Sequence, residues 1–117
     1  MSGHDASETR SVRRIAAEQL VRAKESAARR SAVTVCGGSD RTLRQTVIAL
    51  AEGTVLAEHE NPGEATVYVL SGGVRLRAGD EAWEGRQGDL IVVPRQRHDL
   101  IALQDATVLL TVAAGRP

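Results

Sequence analysis

Apolar and polar residues follow two different rhythms along this chain. Before Arg30 the apolar positions recur at spacings of three and four: Val12, Ile15, Ala16, Leu20, Ala23 and Ala27. Arg13, Arg14, Glu18, Arg22 and Glu25 fall largely off that stripe. This is the signature of an amphipathic helix, expected from Asp5 to about Arg30. Asp5 followed by Glu8 fits a loose capping box at its start. The stripe is thin and rich in alanine, so the helix must lie on a neighbouring surface, in its own subunit or in a partner.

From Ala32 onward the rhythm shortens to two. The expected strands are Val33–Cys36, Thr42–Ala51, Thr54–Glu60, Thr66–Leu70, Val74–Ala78, Glu81–Glu84, Leu90–Val93, His98–Leu103 and Thr107–Ala113. Turn signals separate them, among them Asn61-Pro62-Gly63, Ser71-Gly72-Gly73 and Gly79-Asp80. Eight or nine short strands at such spacing predict an all-β sandwich or barrel. Within Val74–Ala78, Val74, Leu76 and Ala78 face the core and Arg75 and Arg77 face water. Leu90–Val93 and Val108–Leu110 are apolar on both faces. They need cover on both sides, from a second sheet, the helix or a second subunit, and a homodimer is the simplest source.

Composition changes this picture little. The 117 residues fit one domain, read as a helical extension (1–31) and a β domain (32–117). With no Phe, one Tyr and one Trp, the core must be aliphatic. Net charge is zero but divided: residues 1–32 carry seven Arg or Lys against four Asp or Glu, and the remainder carries eight against eleven. The basic excess is small, helical and free of aromatics, which argues against a nucleic-acid partner. Cys36 is the only cysteine, so no internal disulfide forms. There is no apolar run of signal-peptide or membrane-spanning length, and a soluble cytoplasmic protein without a membrane partner is expected.

Several residues carry candidate chemistry. One of Arg44 and Gln45 must face inward by alternation, and an inward Arg needs a carboxylate or an anionic ligand. Glu58 and Glu60 share the face opposite His59 in a regular strand, which suits a solvated turn better than acid–base work. Tyr68 and Trp83 suit core or subunit interface. Gly37-Gly38 lacks the Lys-Ser/Thr of a phosphate loop. Asp99 follows His98 directly and points the other way.

The stretch from Gly53 to Gly72, with Gly88, Pro94 and His98 further on, resembles the two motifs of the cupins. The first, G-x5-H-x-H-x3-4-E-x6-G, aligns with Gly53, His59, Asn61, Ala65 and Gly72. The second, G-x5-P-x-G-x2-H-x3-N, aligns with Gly88 and Pro94, with His98 near the histidine position. The resemblance covers roughly residues 33–113. It implies a double-stranded β-helix, the jelly-roll variant known as the cupin barrel, with an N-terminal α-helix added. It also implies a metal site, from which this sequence departs. Asn61 stands for the second histidine and Ala65 for the glutamate. Glu64 is one residue out of register. Gln96 replaces a glycine, and His98 comes one residue early.

Of the four ligand positions the resemblance offers, His59 and His98 remain. A catalytic transition metal usually takes three protein ligands. The third candidate is Glu64, with Asn61 a poor donor and Gln45 another inward option. The expected cofactor is therefore either one divalent transition metal (Fe, Mn, Zn, Ni or Cu) or none. The expected activity is binding of a small polar molecule in the barrel, around His59, Asn61, His98, Arg44 and Gln45. The alternative is a metal-dependent dioxygenase or isomerase with an incomplete ligand set. No catalytic residue is named by the sequence.

Overall fold

The computed structural model describes residues 7–59 and 63–114. One helix, α1 (Val12–Glu25), precedes nine strands: β1 (Arg30–Cys36), β2 (Leu43–Leu50), β3 (Val55–His59), β4 (Gly63–Ser71), β5 (Gly73–Ala78), β6 (Glu81–Arg86), β7 (Leu90–Val92), β8 (His98–Ala102) and β9 (Ala106–Ala114). They form a five-stranded sheet, β1-β2-β9-β4-β7, and a four-stranded sheet, β3-β8-β5-β6. All ladders are antiparallel. This is the jelly-roll barrel expected from the strand spacing.

Alternation builds the core. Ile48, Leu50, Val67, Val69, Ile91 and Val108 from the larger sheet pack on Val74, Leu76, Leu100 and Ala102 from the smaller. Arg75 and Arg77 take the outer face as expected, where they pair with Glu84 and Asp99. The two ends of the barrel differ. At one end Leu50, Val69, Val74, Ala102 and Ala106 are wholly buried or nearly so. We term this the closed end. At the other end the inner residues Leu56, Leu110 and Val112 are only partly buried. This open end carries the β1–β2, β5–β6 and β7–β8 connections.

The helix is shorter than the spacing suggests. Residues 7–11 are not helical, and the Ser11 hydroxyl accepts from the Arg14 amide. That hydroxyl satisfies one of the orphan N–H groups of the first turn, so Ser11 is the cap and helix begins after it. Asp5, the expected cap, lies outside the described residues. At the other end the Ser26 hydroxyl accepts from the Ala28 amide, and Arg29 takes a positive φ of 60°. Ala27 therefore continues the spacing but not the helix. Val12, Ile15 and Ala16 pack on Val33, Val35, Val47, Leu70 and Leu109, so the helix covers the outer face of its own larger sheet. Gln19 is buried in this layer, where the Ser31 hydroxyl bonds its side-chain oxygen.

Candidate functional site at the open end of the barrel

His98 opens β8 and alternates with Leu100 and Ala102, whose side chains enter the core. It is buried, at 6% exposure, and its Nδ1 lies 2.9 Å from the Gln96 carbonyl oxygen. A carbonyl only accepts, so Nδ1 carries the proton in that bond. The turn between β7 and β8 thus orients the ring. Ala78 lies on the adjoining strand, and Ala65 and Val93 are buried on the side of the facing sheet.

β3 pairs with β8, and the register slips by one residue between Leu56 and His59. The extra residue is a β-bulge, and it makes His59 the Cα partner of His98. Without it, Glu58 would hold that place. The side chains of Glu58 and His59, and Glu60 and Asn61 entirely, lie outside the described residues.

Register resolves the choice between Arg44 and Gln45. Ile48 and Leu50 of β2 enter the barrel core while Val47 packs under the helix. Arg44 and Thr46 therefore share the inner face, and Gln45 the outer. Arg44 is exposed at the open end and its Cα partner is Val112, which in turn pairs with Ala65. Gln45 is directed away from the barrel and donates to the Thr111 hydroxyl at 3.1 Å. Glu64 also faces outward, level with Ala113, and its carboxylate lies 4.0 Å from Arg95 on the surface. The structure thus sets the His59 backbone beside His98 and puts Arg44 on the inner face of the opposite sheet. It takes Gln45 and Glu64 elsewhere, since each belongs to the wrong face of a regular strand.

Ala65, at the position of the family glutamate, does face the interior beside Val67 and Val69. A methyl group therefore stands where a metal-binding carboxylate would. Among the described residues, no group of three or more His, Cys, Asp or Glu side chains could hold a metal ion. The residues present do not fit the full metal site that the motifs imply.

Asp99 lies on the outer face, where Arg77 Nε and Nη2 meet its two oxygens at 2.8 and 2.7 Å. That fork holds its carboxyl below the usual carboxylate range, against partial desolvation. Asp99 thus engages chiefly Arg77, and His98 adds a lesser electrostatic lowering of its carboxyl. Two features of the wall were not evident from the sequence. Trp83 is the cross-strand partner of Leu76, which puts it on the inner face of edge strand β6. Glu81 is likewise the partner of Ala78. Both assignments need the β5–β6 register, which a turn at Gly79-Asp80 suggests but the flanking pattern alone does not fix.

A family model for the cupin domain matches residues 46–113. The chain belongs to the cupins. No curated protein matches this cupin in sequence. Its fold is similar to that of a conserved protein of unknown function from Streptococcus pyogenes (21% identity, TM-score 0.72, covering 96% of this chain and 91% of that one). It is similar as well to KdgF from Halomonas sp. (21% identity, TM-score 0.63, covering 74% and 82%). A third likeness is to salicylate 1,2-dioxygenase from Pseudoaminobacter salicylatoxidans (22% identity, TM-score 0.69). There the match covers 86% of this cupin and 31% of the dioxygenase chain. No helix of the described residues is long and apolar enough to cross a membrane.

Proposed function

We propose that this cupin binds a small polar molecule bearing a negative charge at the open end of its barrel, between His98, Arg44 and the strand position of His59. The observation that carries this reading is His98. It is a buried, inward imidazole whose Nδ1 lies against the Gln96 carbonyl oxygen. Arg44 supplies the charge, since its guanidinium forms no ion pair among the described residues and offers a planar fork suited to a carboxylate. The test is a thermal-shift and titration panel of small carboxylates against their amides, read through Trp83, the only tryptophan. Carboxylates should stabilise the protein and amides should not. Arg44→Ala should weaken binding roughly 10- to 100-fold, the worth of a hydrogen bond to a charged group. A panel in which no carboxylate shifts the melting midpoint sinks the proposal.

A second reading is a metal-dependent enzyme of the dioxygenase or isomerase type. The pairing of His59 with His98 in strand register supports it. Elemental analysis after loading with Fe, Mn, Zn, Ni or Cu separates the two. About one equivalent, lost in the His59→Ala, His98→Ala double variant, would favour this reading, because a divalent site takes one ion.

A further inference from the structure

Along the inner face of edge strand β6 the side chains change from none to large to charged. Gly85, the cross-strand partner of Val74, is buried, and a Cβ there would stand 3.1 Å from Ile91 Cδ1 and from Val69 Cγ2. The two sheets therefore close tightly at this residue. Next towards the open end on the same face comes Trp83, opposite Leu76, and then Glu81, opposite Ala78. Leu76 and Ala78 are buried, whereas Trp83 keeps 36% of its surface and Glu81 is exposed. A strand sealed at Gly85 thus opens at Trp83 and Glu81, into the mouth of the barrel.

Among the described residues the Glu81 carboxylate enters no ion pair and the Trp83 indole N–H no hydrogen bond. Arg44 is likewise without a carboxylate, on the inner face of β2. The two charges stand on opposite sides of the mouth. β9 and β4 separate β2 from β7, and β6 lies against β7 at Ile91. Three strand spacings of about 4.8 Å set the Arg44 and Glu81 backbones roughly 14 Å apart. Both side chains are long and narrow that gap from either end.

We infer that the ligand of this mouth is an elongated molecule charged at both ends, with its carboxylate at Arg44, a protonated amine at Glu81 and an apolar span along the Trp83 indole. The inference rests on the anion-binding reading given above and adds the second charge and the length. Guanidinium and carboxylate pair as a planar fork. At the other end the amine meets a carboxylate, and the neighbouring indole face attracts a cation as well. An α-amino acid carries its charges on adjacent carbons and is too short to meet both residues. A dicarboxylate of the right length brings like charge against Glu81 and is disfavoured.

Titration calorimetry of the intact chain at pH 7 tests this, with 6-aminohexanoate, hexanoate, adipate and glycine as probes. The wild type should bind 6-aminohexanoate about fivefold more tightly than hexanoate, the upper worth of an exposed ion pair. Adipate and glycine should bind more weakly than 6-aminohexanoate. Glu81→Gln, at an exposed position, should keep the wild-type circular dichroism spectrum and its affinity for hexanoate while losing the preference for the amine. The wild type alone gives a further measure: Trp83 emission should change with 6-aminohexanoate in step with the heat. Hexanoate that binds as tightly as 6-aminohexanoate overturns the inference and leaves the anion reading standing. So does a preference for the amine that survives Glu81→Gln, or glycine that matches 6-aminohexanoate. Absence of binding by hexanoate and 6-aminohexanoate alike overturns both.

Discussion

The two ends of the barrel answer the family motifs differently. At the closed end every motif glycine is present, and Gly53, Gly72 and Gly88 all have positive φ, at 84, 74 and 91°. These residues make the tight turns into β3, β5 and β7. At the open end, where the motif histidines and glutamate belong, the chain keeps His59 and His98 and substitutes Asn61 and Ala65. The glycines answer to backbone geometry, which any protein of this topology must satisfy. The ligands answer to chemistry, which a barrel can exchange without losing its shape. One end therefore certifies the fold and the other decides the activity.

The largest expected effect lies at the closed end. A Cβ on Gly72 would fall inside the Asp105 carbonyl oxygen and within 2.9 Å of the Ala106 Cα, both backbone atoms. The left-handed conformation adds its own cost to any L side chain. Gly72→Ala should lower stability by roughly 2–5 kcal/mol, the sum of the φ penalty and local overpacking. Urea denaturation followed through Trp83 measures it. A loss below about 1 kcal/mol would mean that the turn relaxes freely, and that the closed end is less rigidly specified than its motif implies.

A middle-sized effect is expected at the open end from Ala65→Glu, which restores the family carboxylate on the inner wall. Without metal the new group is buried beside apolar neighbours, and stability should fall by about 1–3 kcal/mol, the cost of a buried polar group lacking a partner. Adding Zn or Mn should then raise the melting midpoint of Ala65→Glu more than that of the wild type, because ligand binding stabilises the folded state. If metal raises the two midpoints equally, the departure at this end is not centred on residue 65, and Asn61 becomes the residue to exchange.

Much of this architecture could be read from alternation, and the reasons for the misreadings are local. Val74, Leu76 and Ala78 enter the core as their spacing of two demands. Spacing predicts a helix from Asp5 to about Arg30 because spacing sees side chains, not hydrogen bonds. It is the Ser11 hydroxyl on the Arg14 amide, and the turn through Ser26 and Arg29, that set its limits. By alternation the strands with two apolar faces look alike, yet they differ. In β9 the outer Leu109 lies under the helix, while in β7 Leu90 and Val92 are exposed. Sequence shows that a face is apolar but not which neighbour reaches it. The site was legible in part for the same reason. Parity gave one inward residue of Arg44 and Gln45, and only the β2–β9 register identified it as Arg44. The bulge before His59 breaks parity outright, so no count along the strand could have matched that residue to His98.

The smallest effect compares one carboxylate from each end. Asp105, in the closed-end turn before β9, is held below the usual range chiefly by the Glu52 amide, which bonds its Oδ1 at 2.8 Å. Asp99, on the strand that carries His98, is held low chiefly by its hydrogen bonds from Arg77. A carboxyl whose pKa is lower in the folded state adds stability above its unfolded value, near 3.8, and loses it as pH falls through the folded value. Both residues should therefore contribute at neutral pH and contribute nothing in strong acid. They should differ when neutralised. Asp105→Asn keeps an oxygen that can accept from the Glu52 amide, whereas Asp99→Asn loses the charge that Arg77 grips with two donors. Melting midpoints at pH 7 should fall further for Asp99→Asn than for Asp105→Asn, and both variants should converge on the wild type as pH falls through the lowered folded values. Equal deficits at pH 7 would show that the backbone bond at Asp105 depends on full charge. A deficit for Asp99→Asn that persists in acid would show that the Arg77 fork acts through packing rather than through ionisation.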